Sequence, residues 1–238
     1  MSQFPFQRLQ SELAAIISHT SPGERLPSEP VLSRQLGVSR ATLREAMRAF
    51  ETQGLIRRRQ GAGTFVVGRV PILESGLEVL ESLETLAKRQ NMNITVRYLQ
   101  VEEILADHEK AEALNVPLGT PLTQIQRVIL TDNRPAAYLI DILPKDVLGP
   151  GDLPEKFGGS VLDYLLQRGD ALTISRADIS ATNATTEVAK AMEIQRDDVL
   201  LKFTSRLYSA SGRIVDYSHS YFLPGYFRFH IVRKVGST

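Results

Sequence analysis

The 238-residue sequence contains no cysteine. That absence excludes a disulfide framework, a thiolate metal site and a cysteine nucleophile. No run approaches the roughly 18 consecutive apolar residues that a membrane-spanning helix requires. The N-terminus lacks the basic-then-apolar order of a secretory signal. These features predict a cytoplasmic protein with no membrane partner. The four histidines, His19, His108, His219 and His230, fall at no ligand-pair spacing, so neither metal nor cofactor is expected. Lysine is also missing from residues 1–70, which carry ten Arg and five Glu. The remaining chain holds 18 Lys+Arg against 22 Asp+Glu, so a net charge of only +1 hides a basic first segment. Its basicity is entirely guanidinium, the group whose fork matches phosphate and guanine. At about 150 residues per domain, the length fits one large or two small domains.

Apolar residues at Leu9, Leu13, Ile16 and Ile17 follow helical spacing and predict a helix from Phe6 to His19. Ser21-Pro22-Gly23 stops it. Ser28 then caps a second helix, with Pro30 tolerated in its first turn, Val31, Leu32 and Leu36 buried, and Gly37 at its end. Ser39 caps a third helix from Arg40 to Gln53. Two short helices joined by a tight glycine turn form a helix-turn-helix, whose second helix reads the major groove. Leu55–Arg59, Gln60-Gly61-Ala62-Gly63 and Thr64–Val67 read as strand, turn and strand, a wing directly after that helix.

On the third helix Arg40, Arg44 and Arg48 form a stripe roughly 80° wide, centred about 90° from Leu43, Met47 and Phe50. One face is therefore available to a core and another to a partner. Taken alone, the stripe also fits a solvated surface; the turn before it and the hairpin after it favour DNA. Arg40 and Arg44 suit guanine edges, while the hydroxyls of Ser39 and Thr42 suit phosphate oxygens. Arg57, Arg58 and Arg59 alternate faces, and Arg58 is expected to reach phosphate.

Residues 68–76 read as a linker, so the domains expected are 1–67, for DNA, and 77–238. Helices are predicted at 77–90, 107–115, 160–168 and 185–192. Strands are predicted at 94–104, 121–131, 136–143, 172–182, 197–209, 213–223 and 227–233. Short turns between neighbouring strands imply a mainly antiparallel sheet, and hence an α+β second domain.

Leu26-Pro27-Ser28-Glu29, Leu36–Ala46, Gly54-Leu55-Ile56 and Gln60–Val66 closely resemble the GntR family of winged-helix repressors. The resemblance implies operator contacts from Ser39, Arg40, Thr42, Arg44, Gln60 and Gly61, with Arg48 on the same stripe. Pro30 stands where many members carry Arg. In the second half, Arg127, Asp132, Pro135-Ala136, Gly159–Leu162, Ala184–Ala189, Ser205–Leu207 and Phe227–Phe229 resemble the UTRA effector domain of the HutC subfamily, an α+β fold of chorismate-lyase type. That resemblance implies an effector site in which Arg127 and Ser160 take a phosphate, Asp216 a sugar, and Ser82 a weaker place. Ile129 and Leu139 replace a second arginine and a second carboxylate of the pattern. Asp141, on the strand face of Leu139, is a displaced carboxylate candidate.

The expected function is a ligand-responsive regulator, a homodimer on a pseudo-palindromic operator in double-stranded DNA. Its effector is a small molecule, a phosphorylated sugar or another small anion being the class implied. Two alternatives stay open: an enzymatic second domain, for which no nucleophile–base pair is visible, and a constitutive DNA binder without effector.

Overall fold

The computed structural model describes residues 4–52, 54–59, 62–67, 72–155 and 157–234. The chain divides into two compact units, one reaching Ile72 and including Pro224–Tyr226, the other formed by Leu73–Leu223 and the residues from Phe227.

In the first unit, helices α1 (Phe4–His19), α2 (Glu29–Gln35) and α3 (Arg40–Thr52) precede the hairpin β1 (Ile56–Arg59) and β2 (Gly63–Val66). Leu9, Leu13 and Ile17 from α1, Leu32 from α2, and Leu43, Ala46, Met47 and Phe50 from α3 close one core with Ile56 and Val66. Val31 departs from expectation: it is 43% exposed, because only Leu32 of that pair points inward. Ser28 occupies the N-cap of α2 without a side-chain bond, and Gly37 takes the left-handed φ of +64° that ends the helix. A third extended segment joins the wing, since Leu26 N donates to Thr64 O and Val66 N to Glu24 O, both at 2.8 Å.

The second unit is built on a six-stranded antiparallel sheet. Its strands are β4 (Ile94–Leu105), β5 (Pro121–Thr131), β6 (Arg134–Pro144), β7 (Leu172–Asn183), β8 (Val199–Ser209) and β9 (Ile214–Phe222), in the order β4-β5-β6-β9-β8-β7. Helices α4 (Leu83–Arg89) and α6 (Val161–Arg168) pack on one face, through Leu83 against Ile129, Leu139 and Phe222, and through Val161 and Leu165 against Ile125 and Leu143. Helix α5 (His108–Leu114) lies on the opposite face with Leu122, Ile142 and Tyr217. There too α7 (Thr186–Met192) meets the sheet, where Tyr138 Oη donates to Glu187 Oε1 at 3.2 Å.

Two expectations at the start of this unit are corrected. The last four residues of the anticipated linker form a strand, β3 (Leu73–Gly76), parallel to β10 (Phe227–His230). The helix expected over 77–90 begins only at Leu83. Ser82 caps it by accepting from Thr85 N at 2.9 Å, and Val79 and Leu80 stay 70% and 51% exposed. The 3.6-residue spacing of leucines there continues through a stretch that is not helical.

Candidate DNA-binding and effector sites

The third helix presents its arginines as the stripe implies, but of the four wing and helix arginines singled out, Arg44 and Arg58 are tethered within the domain. Ser39 Oγ accepts from Thr42 N at 3.0 Å and lies 2.8 Å from Thr42 Oγ1, a capping arrangement that leaves both hydroxyls exposed at the helix start. Arg40 is exposed and Arg48 half-buried. Arg44 Nε donates to Glu29 Oε2 at 2.7 Å, fixing the guanidinium by its inner edge while 55% of the side chain stays exposed. Arg58 turns back onto the domain. Its backbone N donates to Glu51 Oε1 at 3.1 Å and its Nη2 donates to Arg44 O at 3.2 Å, with Glu29 Oε1 3.9 Å from Nη1. Glu29, Arg44, Glu51 and Arg58 thus join α2, α3 and β1. Gln60 and Gly61 lie outside the described residues. At the wing, Gly63 has φ +110°, a backbone conformation that favours glycine, while the space of a Cβ is taken only by the movable Arg25 guanidinium.

In the second unit, all five predicted effector residues fall in one neighbourhood on the sheet face that carries α4 and α6. Arg127 on β5 is 5% exposed, and its Nη1 donates to Asp141 Oδ2 on β6. Asp216 on β9 is buried and accepts from Ile142 N at 3.2 Å. Ser160 caps α6 by accepting from Asp163 N at 3.0 Å. Ser82 caps α4 and donates to Asp163 Oδ2 at 2.6 Å, which ties the two helix starts together. Gly159, at φ +100°, brings the loop before α6 so close that a Cβ would stand 2.8 Å from Val96 Cγ2 and 3.3 Å from Arg127 Cδ.

Two further carboxylates belong to this neighbourhood and were not singled out in the sequence. Glu84 Oε1 stands 4.0 Å from Arg127 Nε, and both Glu84 oxygens are buried without a hydrogen-bond donor; Arg127 Nε is likewise unbonded. Asp163 also receives Thr85 Oγ1, at 3.2 Å. The only sequence signal for Asp163 was an acid in a helix's first turn, which helix electrostatics alone explains, and Glu84 fell in the middle of the helix expected over 77–90. Beside them lies a cavity of about 430 Å³, whose lining includes Glu84, Thr85, Lys88, Asn93, Asp163 and Gln167.

The electrostatics follow from burial. Desolvation drives the Asp216 carboxyl well above its ordinary range, and the charge on Asp141 adds to the effect. Burial also raises Glu84, against the pull of Arg127. For Arg127 burial opposes ionisation, but Asp141, Glu84 and Asp216 more than offset it, so the guanidinium stays charged.

A helix-turn-helix with a wing, joined to an α+β unit with a buried charged site beside a cavity, defines a DNA-binding regulator with an effector domain. Residues 7–66 match the model of bacterial regulatory proteins of the gntR family, and residues 89–228 match that of the UTRA domain. The chain belongs to the GntR family, as a HutC-type transcriptional regulator with a UTRA domain. It is 30% identical to the HTH-type transcriptional repressor NagR of Bacillus subtilis, over 84% of this chain and 81% of that one. It is 29% identical to the histidine utilization repressor of Klebsiella aerogenes, over 91% and 87%. The fold is shared with PhnF from Mycobacterium smegmatis, at a TM-score of 0.65 and 21% identity, covering 96% of this chain and all of that one. Among the described residues no helix is long and apolar enough to cross a membrane.

Proposed function

We propose that this protein is a cytoplasmic, non-catalytic repressor that binds a pseudo-palindromic operator as a homodimer and changes its DNA affinity when a small molecule occupies the second domain. Residues 1–67 form the DNA-binding domain, and effector binding and dimerisation belong to the chain from Leu73 onward. Dimer symmetry is mirrored in the operator. Arg40 and Arg44 read base edges, Ser39 and Thr42 contact phosphate, and Arg48, Gln60 and Gly61 complete the contact surface. Arg58 acts as a brace for Arg44, with phosphate contact secondary. The effector is sensed through Arg127, Asp141, Asp216, Ser82 and Ser160.

The observation that carries this reading is the Ser82–Asp163–Ser160 junction, where the starts of α4 and α6 meet at one carboxylate beside Arg127. A ligand entering there rearranges the bonds that hold α4, and α4 lies against β3, the first element of this unit, where Glu74 N donates to Gln90 Oε1 at 3.2 Å. A shift of the operator-binding equilibrium needs a ligand with several kcal/mol of differential affinity for the two states. The test is titration of the full chain against duplexes from its own promoter region, with and without metabolites. Sequence-selective binding relieved by one metabolite class supports the reading. Uniform weak affinity for every duplex refutes it.

A further inference from the structure

We propose that two copies of this protein join edge to edge through β7, with Ala177 on the two-fold axis, so that two six-stranded sheets become one continuous sheet. This rests on the reading of the protein as a homodimer and says which surface makes it. β7 closes one side of the sheet, and among the described residues it pairs only with β8. Its twelve residues span about 40 Å at ~3.3 Å each. Nine of the twelve are exposed and none is buried. After the register shift at Leu172–Ile174, pairing with β8 runs unbroken to Asn183, so every second residue turns its N–H and C=O outward in one straight row. The opposite edge is blunted. β4 carries a bulge between Arg97 and Gln100, with Tyr98 at the left-handed φ of +54°, and Arg97 Nη2 donates to Glu193 Oε1 at the end of α7 at 2.6 Å. Glu102 and Glu103 add charge of one sign further along. Bulges and charges of this kind oppose strand addition. β7 has no proline, no lysine and no bulge past Ile174, and it leaves Ile174 and Ile179 64% and 45% exposed.

The charges on β7 fit a second copy of themselves in one register. A closed two-fold pair of identical edges is antiparallel. Facing residues in such a ladder both aim their backbone groups at the other strand or both away from it, so they stand an even number of positions apart. The ladder is therefore centred on a residue. Centring on Arg176 or on Asp178 sets a like charge against itself. Centring on Ser175 or Ile179 sets both charges against neutral side chains. Centring on Ala177 sets Arg176 against Asp178 of the second copy, and Asp178 against its Arg176, with alanine facing alanine at the axis. Within one chain Arg176 Nη2 and Asp178 Oδ1 are 3.9 Å apart, outside hydrogen-bond range, and the two side chains stay 72% and 63% exposed. The same register covers Ile179, which lies beside Phe203 of β8, with Ser175 of the second copy.

The test is sedimentation equilibrium of the full chain at low salt, where a dimer is expected. Arg176→Asp and Asp178→Arg each set like charges across the axis twice, and each is expected to raise the dimer dissociation constant about tenfold. An equimolar mixture of the two variants is expected to restore dimerisation, as is the double swap in one chain, because both arrangements bring opposite charges face to face again. The chain has no cysteine, so Ala177→Cys supplies a single thiol on the axis, and a short thiol-to-thiol crosslinker is expected to yield a covalent dimer. A dimer indifferent to the single charge changes, a loss that the mixture fails to rescue, or a dimer not crosslinked from position 177 overturns the β7 assignment while leaving the homodimer reading intact. A monomeric chain overturns both, and leaves the β7 edge to a strand of another protein.

Discussion

Asp141→Asn leaves Arg127 charged, buried and without the charge of its bonded partner, with Glu84, 4.0 Å from Nε, and Asp216 as the remaining acidic neighbours. Breaking one side of a buried ion pair costs about 3–5 kcal/mol, mostly the penalty of the stranded charge. For a domain of this size each kcal/mol lowers the melting temperature by about 2–4 °C, so a fall of roughly 6–20 °C is expected in the transition of the effector domain. The double variant Arg127→Met, Asp141→Leu removes both charges and fills similar volume, and it is expected to recover most of that loss. Far-ultraviolet circular dichroism during urea unfolding suits the measurement, because the six-stranded sheet dominates this unit. A loss below about 1 kcal/mol in Asp141→Asn, or a double variant no more stable than the single, refutes the assignment of Arg127–Asp141 as a buried ion pair.

Three further outcomes are expected. Arg44→Ala lowers operator affinity by about 1–3 kcal/mol and relaxes preference at one base position, while Glu29→Gln relaxes the same position with less loss; equal effects on specific and random duplexes contradict base reading. His219, packed on Tyr217 with ring centroids 4.7 Å apart, has a pKa depressed to about 4 by burial and then by Lys202. Its folded-state pKa lies below the unfolded value, so stability is lost as pH falls from about 6.5 toward 4. Melting temperatures across that range decline less in His219→Gln, and parallel curves contradict the assignment. Gly159→Ala combines a φ of +100° with a Cβ 2.8 Å from Val96, and is expected to destabilise the domain by about 1–3 kcal/mol in denaturant unfolding.

Much of the fold was legible because its signals are local. Ser39, Ser82, Asp107, Ser160 and Thr185 each cap a helix through a bond to a backbone N–H three residues on, and such residues advertise themselves in sequence. Of these, Ser82 was nonetheless overridden by leucine spacing at 77 and 80, which placed the start of α4 too early. What stayed hidden depends on pairing between distant segments. The parallel contact of β3 with β10 joins four-residue strands about 150 positions apart, too short to carry a pattern. Glu84 meets Arg127 and Asp163 only through the packing of α4 and α6 on the sheet. Glu29 meets Arg44 across the turn between α2 and α3, and nothing in the Arg stripe itself reveals which of its members is tethered.

The pairing of β3 with β10 sets rules for cutting this protein. Leu73–Gly76 runs beside Phe227–His230, Arg228 grips Glu74 at 2.8 Å, and Leu77 N donates to His230 O at 2.9 Å. A fragment intended as the free-standing sensor must begin no later than Leu73 and retain its tail through His230. Trimming either end strips the other of its neighbour, and Leu73, wholly enclosed beside Leu86 and Ala87, is then laid open to water.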